Sequence, residues 1–168
     1  GAYSLSEPGA GSDAGSIATV AVPAGDGFSI DGAKCWVTNG GIADLFVVFV
    51  STSPASASRG ISCFLIEKGT SGFTVGRKEK KMGLRASDTR ELAFHGCRVP
   101  RSALLGAVNG GFKIAMRLLD GGRVGIGASA VGIAQAAFEE ALSYAKARRQ
   151  FGRPIAEFQL IQAKIADM

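Results

Sequence analysis

The period of the apolar residues changes once, near Pro100, and that change constrains the fold more than any single residue does. Up to Pro100 they come in short runs broken by turn residues: Ile17 to Val22, Phe28 to Ile30, Ala33 to Val37, Leu45 to Val50, Ile61 to Ile66 and Glu91 to Phe94. Runs of this length, bounded by Gly, Pro, Asn, Asp and Ser, predict β-strands. Asp31-Gly32 between two of them predicts a hairpin turn, because both positions tolerate the positive φ of a type I′ turn. Ser51 to Ser58, with Pro54 inside, reads as a small-residue loop. Short strands at this spacing predict an antiparallel barrel or sandwich over residues 1–100.

After Val99-Pro100 the pattern turns helical. Phe112, Ala115, Met116 and Leu119 fall on one face of a first helix that Asn109 and Gly110 start. A second, longer helix carries the stripe Val124, Ala128, Val131, Ala134, Phe138, Ala141, Leu142 and Ala145, with Glu139 and Glu140 preceding the basic Lys146, Arg148 and Arg149. Gly121, Gly122, Gly125 and Gly127 stand at its head, each costing roughly 1 kcal/mol against alanine. Close helix approach and room for a ligand chain are both open readings of them. Gly152 and Pro154 stop the helix, and Glu157 to Met168 begins another. A full apolar stripe needs helical partners that this chain does not supply, so residues 101–168 read as the first helices of a truncated C-terminal bundle. The expected class is α+β. The chain opens mid-motif at Gly1-Ala2-Tyr3 and stops mid-pattern at Asp167-Met168, which reads as an internal fragment.

Composition narrows the function. Hydrophobic residues at 46% and charged residues at 20% are those of a soluble globular protein, and the 24 glycines show no collagen period. Much of the net charge of +5 sits in Arg77-Lys78-Glu79-Lys80-Lys81, Arg85 and Arg90. No aromatic residues interleave with that cluster to stack on bases, so it reads as a solvated loop and nucleic acid is not an expected partner. Cys35, Cys63 and Cys97 read as buried thiols, with no metal site. His95, the single histidine, reads as a solvent-facing strand position. No apolar run is long enough to span a bilayer, so no membrane partner is expected.

Six ordered motifs remain: Tyr3-Ser4-Leu5-Ser6-Glu7-Pro8-Gly9-Ala10-Gly11-Ser12-Asp13, Gly32-Ala33-Lys34-Cys35-Trp36-Val37-Thr38-Asn39-Gly40, Lys81-Met82-Gly83-Leu84-Arg85-Ala86-Ser87-Asp88-Thr89, Arg98-Val99-Pro100, Asp120-Gly121-Gly122-Arg123 and Arg148-Arg149-Gln150-Phe151-Gly152. Together they resemble the acyl-CoA dehydrogenases, closest to the short-chain, butyryl type, over essentially the whole chain. Ser4 departs from the alanine, glycine or cysteine more usual there.

The resemblance implies FAD as cofactor. Tyr3, Leu5, Ser6, Gly11 and Ser12 would border the flavin, with backbone and hydroxyl groups bonding the polar edge of its ring. Trp36 would form a wall, with Val37 beside it, and Thr38 would direct its hydroxyl at the hydride-accepting nitrogen. On the residues alone, the alternative reading of Trp36 is a core aromatic on a strand. Arg148, Phe151 and Gln159 would reach the FAD of a neighbouring subunit, which implies a homo-oligomer, a tetramer in this family. Ser12, Asp120 and Arg123 would touch the acyl-CoA, though Asp120 and Arg123 are also a simple i,i+3 pair.

The implied reaction takes a proton from the α-carbon and a hydride from the β-carbon of a short-chain acyl thioester, giving the trans-2-enoyl product. The resemblance places the base in most relatives beyond Met168. A smaller group carries it where this chain has Gly122, so no catalytic residue is nominated and the fragment is expected to be inactive alone. Electron-transfer flavoprotein is the implied acceptor, and bacterial cytoplasm or mitochondrial matrix the implied compartment. The rivals are a dehydrogenase-like flavoprotein with a binding role, the DNA-associated branch included, and a non-flavin β-barrel interaction module.

Overall fold

The computed structural model describes residues 1–168, and the chain divides into two compact units, Gly1–Leu118 and Leu119–Met168. In the first, β1 (Ala2–Ser4), β2 (Val20–Ala24), β3 (Gly27–Thr38), β4 (Leu45–Ser51), β5 (Ile61–Glu67), β6 (Phe73–Lys78) and β7 (Thr89–Pro100) form one seven-stranded sheet. Its path runs β1-β4-β2-β3-β7-β6, with β5 paired to β4.

The sheet is mixed, which corrects the antiparallel expectation. β5 runs antiparallel along the whole of β4, while β1 and β2 follow one another along the other edge, both parallel to it: Ala2–Ser4 against Phe46–Val48, and Val20 against Ser51. That position explains the composition of β4. The segment Phe46-Val47-Val48-Phe49-Val50 is apolar without alternation because it is covered on both faces, and Phe46, Val48, Phe49 and Val50 are fully buried.

The expected hairpin at Asp31-Gly32 is also corrected. Residues 27–38 form one continuous strand, and the turn lies earlier at Gly25-Asp26, where Ala24 pairs with Gly27 and Gly25 has φ +65°. Gly32 instead marks a bulge, with a register shift between Ile30 and Gly32. A side chain there would meet Thr19 within 2.7 Å, so the glycine admits the chain of residue 19. Two strands, β1 and β6, lie outside the expected runs, and Arg77 and Lys78 end β6 rather than lying in a loop.

The core gathers the inward residues of all these strands, among them Ile30, Val37, Phe46, Val48, Phe64, Ile66, Leu92 and Phe94. Phe73 stands at its middle, stacked on Phe94 at 5.1 Å between ring centroids and edge-on to Phe46 at 4.8 Å. Cys35, Cys63 and Cys97 are buried thiols and His95 is exposed, both as expected.

A single helix, α1 (Gly111–Ala147), replaces the two expected, and the division between units falls inside it. The glycines at 121, 122, 125 and 127 therefore lie in its interior, and a methyl group added at any of them would find no non-local atom within 4 Å. In the first unit its opening turn seats on β5: Gly111 approaches Ser62 so closely that a Cβ would lie 2.5 Å from the Ser62 carbonyl carbon. In the second unit Val124, Ile126, Val131 and Ile133 are all exposed. α1 ends at Ala147, earlier than expected, and a hairpin of β8 (Arg149–Gln150) and β9 (Arg153–Pro154) follows, then α2 (Gln159–Asp167). No helix is long and apolar enough to cross a membrane.

Candidate functional site

A groove of about 320 Å³ opens in the first unit between the segment leaving β1 and the end of β3, lined by Tyr3, Leu5, Ser6, Trp36, Thr38 and Asn39. The backbone of β3 makes it. A second register shift lies between Lys34 and Val37, and within it Trp36 takes φ +57°, followed by Asn39 at φ +64°. A tryptophan in that region is strained by about 1–3 kcal/mol. The bulge keeps Val37 in the core while turning Trp36 out, 65% exposed. Trp36 is thus not the core aromatic that its strand position also allowed.

Each groove residue contributes something different. Ser6 is held to β3 by the Cys35 N–H, which donates to its carbonyl at 2.9 Å. Thr38 is exposed and pairs with Thr89 of β7. Tyr3 leans its ring on Phe49 at 5.2 Å, and its hydroxyl is buried without a partner. Burial, followed by the nearby Cys63, pushes that hydroxyl up to about 12, and burial alone pushes the Cys63 thiol up to about 12. Tyr3 therefore offers the groove its ring and main chain, not its hydroxyl. Val37 can offer only main chain, since its side chain is 1% exposed within the core. Gly11 and Ser12 lie on the exposed loop before the short 3-10 turn Ala14–Ser16, outside the groove lining.

The Leu5 carbonyl is tied to an ion pair whose two members carry no role in the sequence motifs. Lys34 Nζ donates to Glu7 Oε1 at 2.7 Å and to the Leu5 carbonyl at 3.1 Å, with side-chain exposures of 0% for Lys34 and 5% for Glu7. The Glu7 carboxylate also accepts the N–H of Ala18 at 2.6 Å and of Thr19 at 3.1 Å. Burial works to raise the Glu7 carboxyl, but the Lys34 charge and these hydrogen bonds outweigh it and hold Glu7 below its ordinary value. Burial lowers Lys34, and the carboxylate at 2.7 Å opposes that shift. Lys34 falls at an inward position of the continuous strand whose Phe28 and Ile30 also point inward, and an inward lysine requires a partner, but the turn expected at Asp31-Gly32 hid that alignment.

The adjoining turn has its own anchor. Asp88 accepts the Gly41 N–H at 2.6 Å and pairs with Arg90 at 2.8 Å, and the Asn39 N–H donates to the Asp88 carbonyl at 2.7 Å. The Gly41 bond and then Arg90 hold the Asp88 carboxyl below its ordinary value against the opposing effect of burial.

The second unit carries a separate concavity of about 780 Å³, lined among others by Phe151, Arg153, Phe158, Gln159 and Leu160. Phe151 and Gly152 form the β8–β9 turn with φ +50° and +80°, which leaves Phe151 91% exposed. The Arg153 guanidinium lies 4.3 Å from the Phe158 ring centre. Arg148 uses its main chain, donating to Tyr144 and accepting from Ile155, both at 2.8 Å, and its side chain is exposed. Asp120 and Arg123 pair with each other at 3.0 Å, each side chain 73% exposed.

The groove brings the out-turned indole of Trp36 together with Ser6 and Thr38. The groove is near the low end of the roughly 300–1,000 Å³ of small-molecule pockets. Residues 2–97 match the acyl-CoA dehydrogenase middle domain and residues 109–168 the acyl-CoA dehydrogenase C-terminal domain, and the chain belongs to the acyl-CoA dehydrogenase family. It is 51% identical, over its whole length, to the short-chain specific acyl-CoA dehydrogenase of Clostridium acetobutylicum, of which it spans 44%. The butyryl-CoA dehydrogenase structure of Megasphaera elsdenii superposes with a TM-score of 0.94 at 47% identity, over 99% of this chain and 44% of that one. A chain solved in work on the electron transferring flavoprotein of Acidaminococcus fermentans gives a TM-score of 0.94 at 49% identity, over 99% of this chain and 44% of that one. The chain thus spans under half the length of these relatives. Family membership overturns the reading as a non-flavin interaction module.

Proposed function

We propose that this chain forms the flavin- and acyl-CoA-binding part of an FAD-dependent short-chain acyl-CoA dehydrogenase, with residues 1–100 as the β-domain and 101–168 as the start of the helical domain. The observation that carries the reading is the groove itself, where a strained backbone holds Trp36 outward beside Ser6 and Thr38. When bound, FAD supplies the acceptor for the hydride leaving the β-carbon of the thioester.

The chain's residues bind and orient. Ser6 directs hydroxyl or main-chain donors at the polar ring edge, where negative charge accumulates on reduction, and Thr38 directs its hydroxyl at the hydride-accepting nitrogen. Trp36, with the Val37 main chain, walls off one side and excludes water, and Tyr3 and Leu5 close the other. Gly11 and Ser12 extend the polar border along the exposed loop. Arg148, Phe151 and Gln159 serve the FAD of a neighbouring subunit in a homotetramer. The exposed Arg148 guanidinium suits a pyrophosphate, and Phe151 and Gln159 already share one concavity. Ser12, Asp120 and Arg123 contact acyl-CoA. The exposed Asp120–Arg123 pair is worth only a few tenths of a kcal/mol, so exchanging it for ligand contacts costs little. The α-proton is taken by a carboxylate outside the 168 residues. Electron-transfer flavoprotein accepts the electrons, in the bacterial cytoplasm or the mitochondrial matrix. The names of the relatives favour this over a DNA-associated binding role.

The test is anaerobic addition of butyryl-CoA to the full-length protein while the flavin absorbance is followed. Bleaching is expected. Bound flavin that does not bleach refutes the substrate class, and full-length protein purified without flavin that also fails to take up added FAD refutes the cofactor. Purified 168-residue chain should retain little or no FAD beside it.

A further inference from the structure

We propose that Lys34, with Glu7, is a positioning residue for the flat-ring groove: the buried pair holds residues 5–7 against β3 and thereby sets the orientation of Trp36. That the ring is a flavin rests on the function proposed above; the effect on Trp36 does not.

Three consecutive residues are gripped by two consecutive ones. Lys34 Nζ holds the Leu5 carbonyl at 3.1 Å, the Cys35 N–H holds the Ser6 carbonyl at 2.9 Å, and Lys34 Nζ holds the Glu7 carboxylate at 2.7 Å. The far side of Glu7 is tied to the N–H groups of Ala18 and Thr19, and the Thr19 hydroxyl donates to the Ala33 carbonyl at 3.2 Å. The network closes on itself around β3 between Ala33 and Cys35. Trp36 is the next residue, already in the bulge and at positive φ.

Energetics separate this role from simple stabilisation. A fully desolvated ion pair contributes little net stability, because the cost of removing both charges from water offsets their attraction, and apolar replacements are often neutral. Hydrogen bonds to a main-chain carbonyl and to a carboxylate are directional, whereas an apolar replacement would grip neither. Leu5 and Ser6 line the groove, and their carbonyls are the ones that Lys34 Nζ and the Cys35 N–H hold. Removing it frees the segment to shift against the bulge, and strain at Trp36 relaxes along whichever path is then open.

The test uses full-length protein labelled with fluorotryptophan, the Trp36 fluorine resonance being assigned by its loss in Trp36→Phe. Lys34→Met combined with Glu7→Gln removes both charges, so the double variant leaves no unpaired buried ion. Its Trp36 resonance should shift or broaden, and its affinity for added FAD should fall about tenfold, equivalent to about 1.4 kcal/mol. A folded double variant with the wild-type resonance and affinity overturns the proposal and leaves the pair as structural support. Glu7→Asp keeps both charges and withdraws the carboxylate by one methylene, so it decides the matter if the double variant does not fold: a moved resonance supports the proposal and an unmoved one overturns it. Wild-type protein that binds no FAD defeats the proposed function alone, since the Trp36 resonance still reports on the pair.

Discussion

Replacing Ser4 by alanine should make the protein more stable. Ser4 is wholly buried in β1, and its Oγ has no hydrogen-bond partner, so the folded state carries a desolvated hydroxyl with nothing in return. Leaving such a group unsatisfied costs about 1–3 kcal/mol. Removing the oxygen opens a void of roughly 10 Å³, which at about 24 cal/mol per Å³ costs only about 0.2 kcal/mol. The β1–β4 pairing runs through main chain opposite Val48 and is untouched by the change. The net expectation is a gain of about 1–3 kcal/mol in equilibrium urea unfolding. Ser4→Val is the paired control, because its additional bulk at a wholly buried position should destabilise by about 1–3 kcal/mol. A loss of 0.5 kcal/mol or more in Ser4→Ala would refute the reasoning, since it would mean that the hydroxyl makes a bond in solution worth more than its desolvation.

Glycines of α1 should divide by surroundings: Gly111→Ala, at the first position of the helix, forces a Cβ against the Ser62 backbone and should destabilise by about 1–3 kcal/mol, read from the unfolding midpoint. Gly125→Ala meets nothing within 4 Å, and circular dichroism of the 168-residue chain should show a helix stabilised by about 1 kcal/mol. Phe73→Ala removes a ring that packs on both Phe46 and Phe94, and urea unfolding should show a loss of about 3–5 kcal/mol. Glu7 and Asp88 are both held below their ordinary values, so the stability they contribute is complete above about pH 4.5 and is lost as pH falls through their folded values. Urea midpoints should therefore be level between about pH 7 and 5 and fall below, and the Glu7→Gln, Lys34→Met double variant should fall less steeply.

Much of this was legible from local pattern. β4 and β5 were visible because their apolar runs are bounded by turn residues on both sides, and the helical region because its apolar spacing changes after Pro100. The groove residues Tyr3, Leu5, Ser6, Trp36 and Thr38 were nominated through the resemblance, and the structure gathers them from two segments about 30 residues apart. Glu7 and Lys34 were passed over because each reads as an ordinary surface charge until burial shows that it cannot be one.

The order of residues by itself located β2 to β5, β7 and the helical region after Pro100, since both periods are properties of neighbours along the chain, but not β1 or β6. It also carried the family motifs. Only the tertiary structure decided that β1 and β2 run parallel along β4, because an apolar run does not encode the direction of its partner. It likewise decided that Asp31-Gly32 lies inside a strand: the sequence permits a turn there, but Gly32 pairs with Phe94 of β7 in the continuing ladder and is approached by Thr19. The bulge at Lys34–Val37 turns Trp36 outward for the same kind of reason, since the anchoring contacts come from residues 5–7, which are distant in sequence and adjacent only once the sheet has formed.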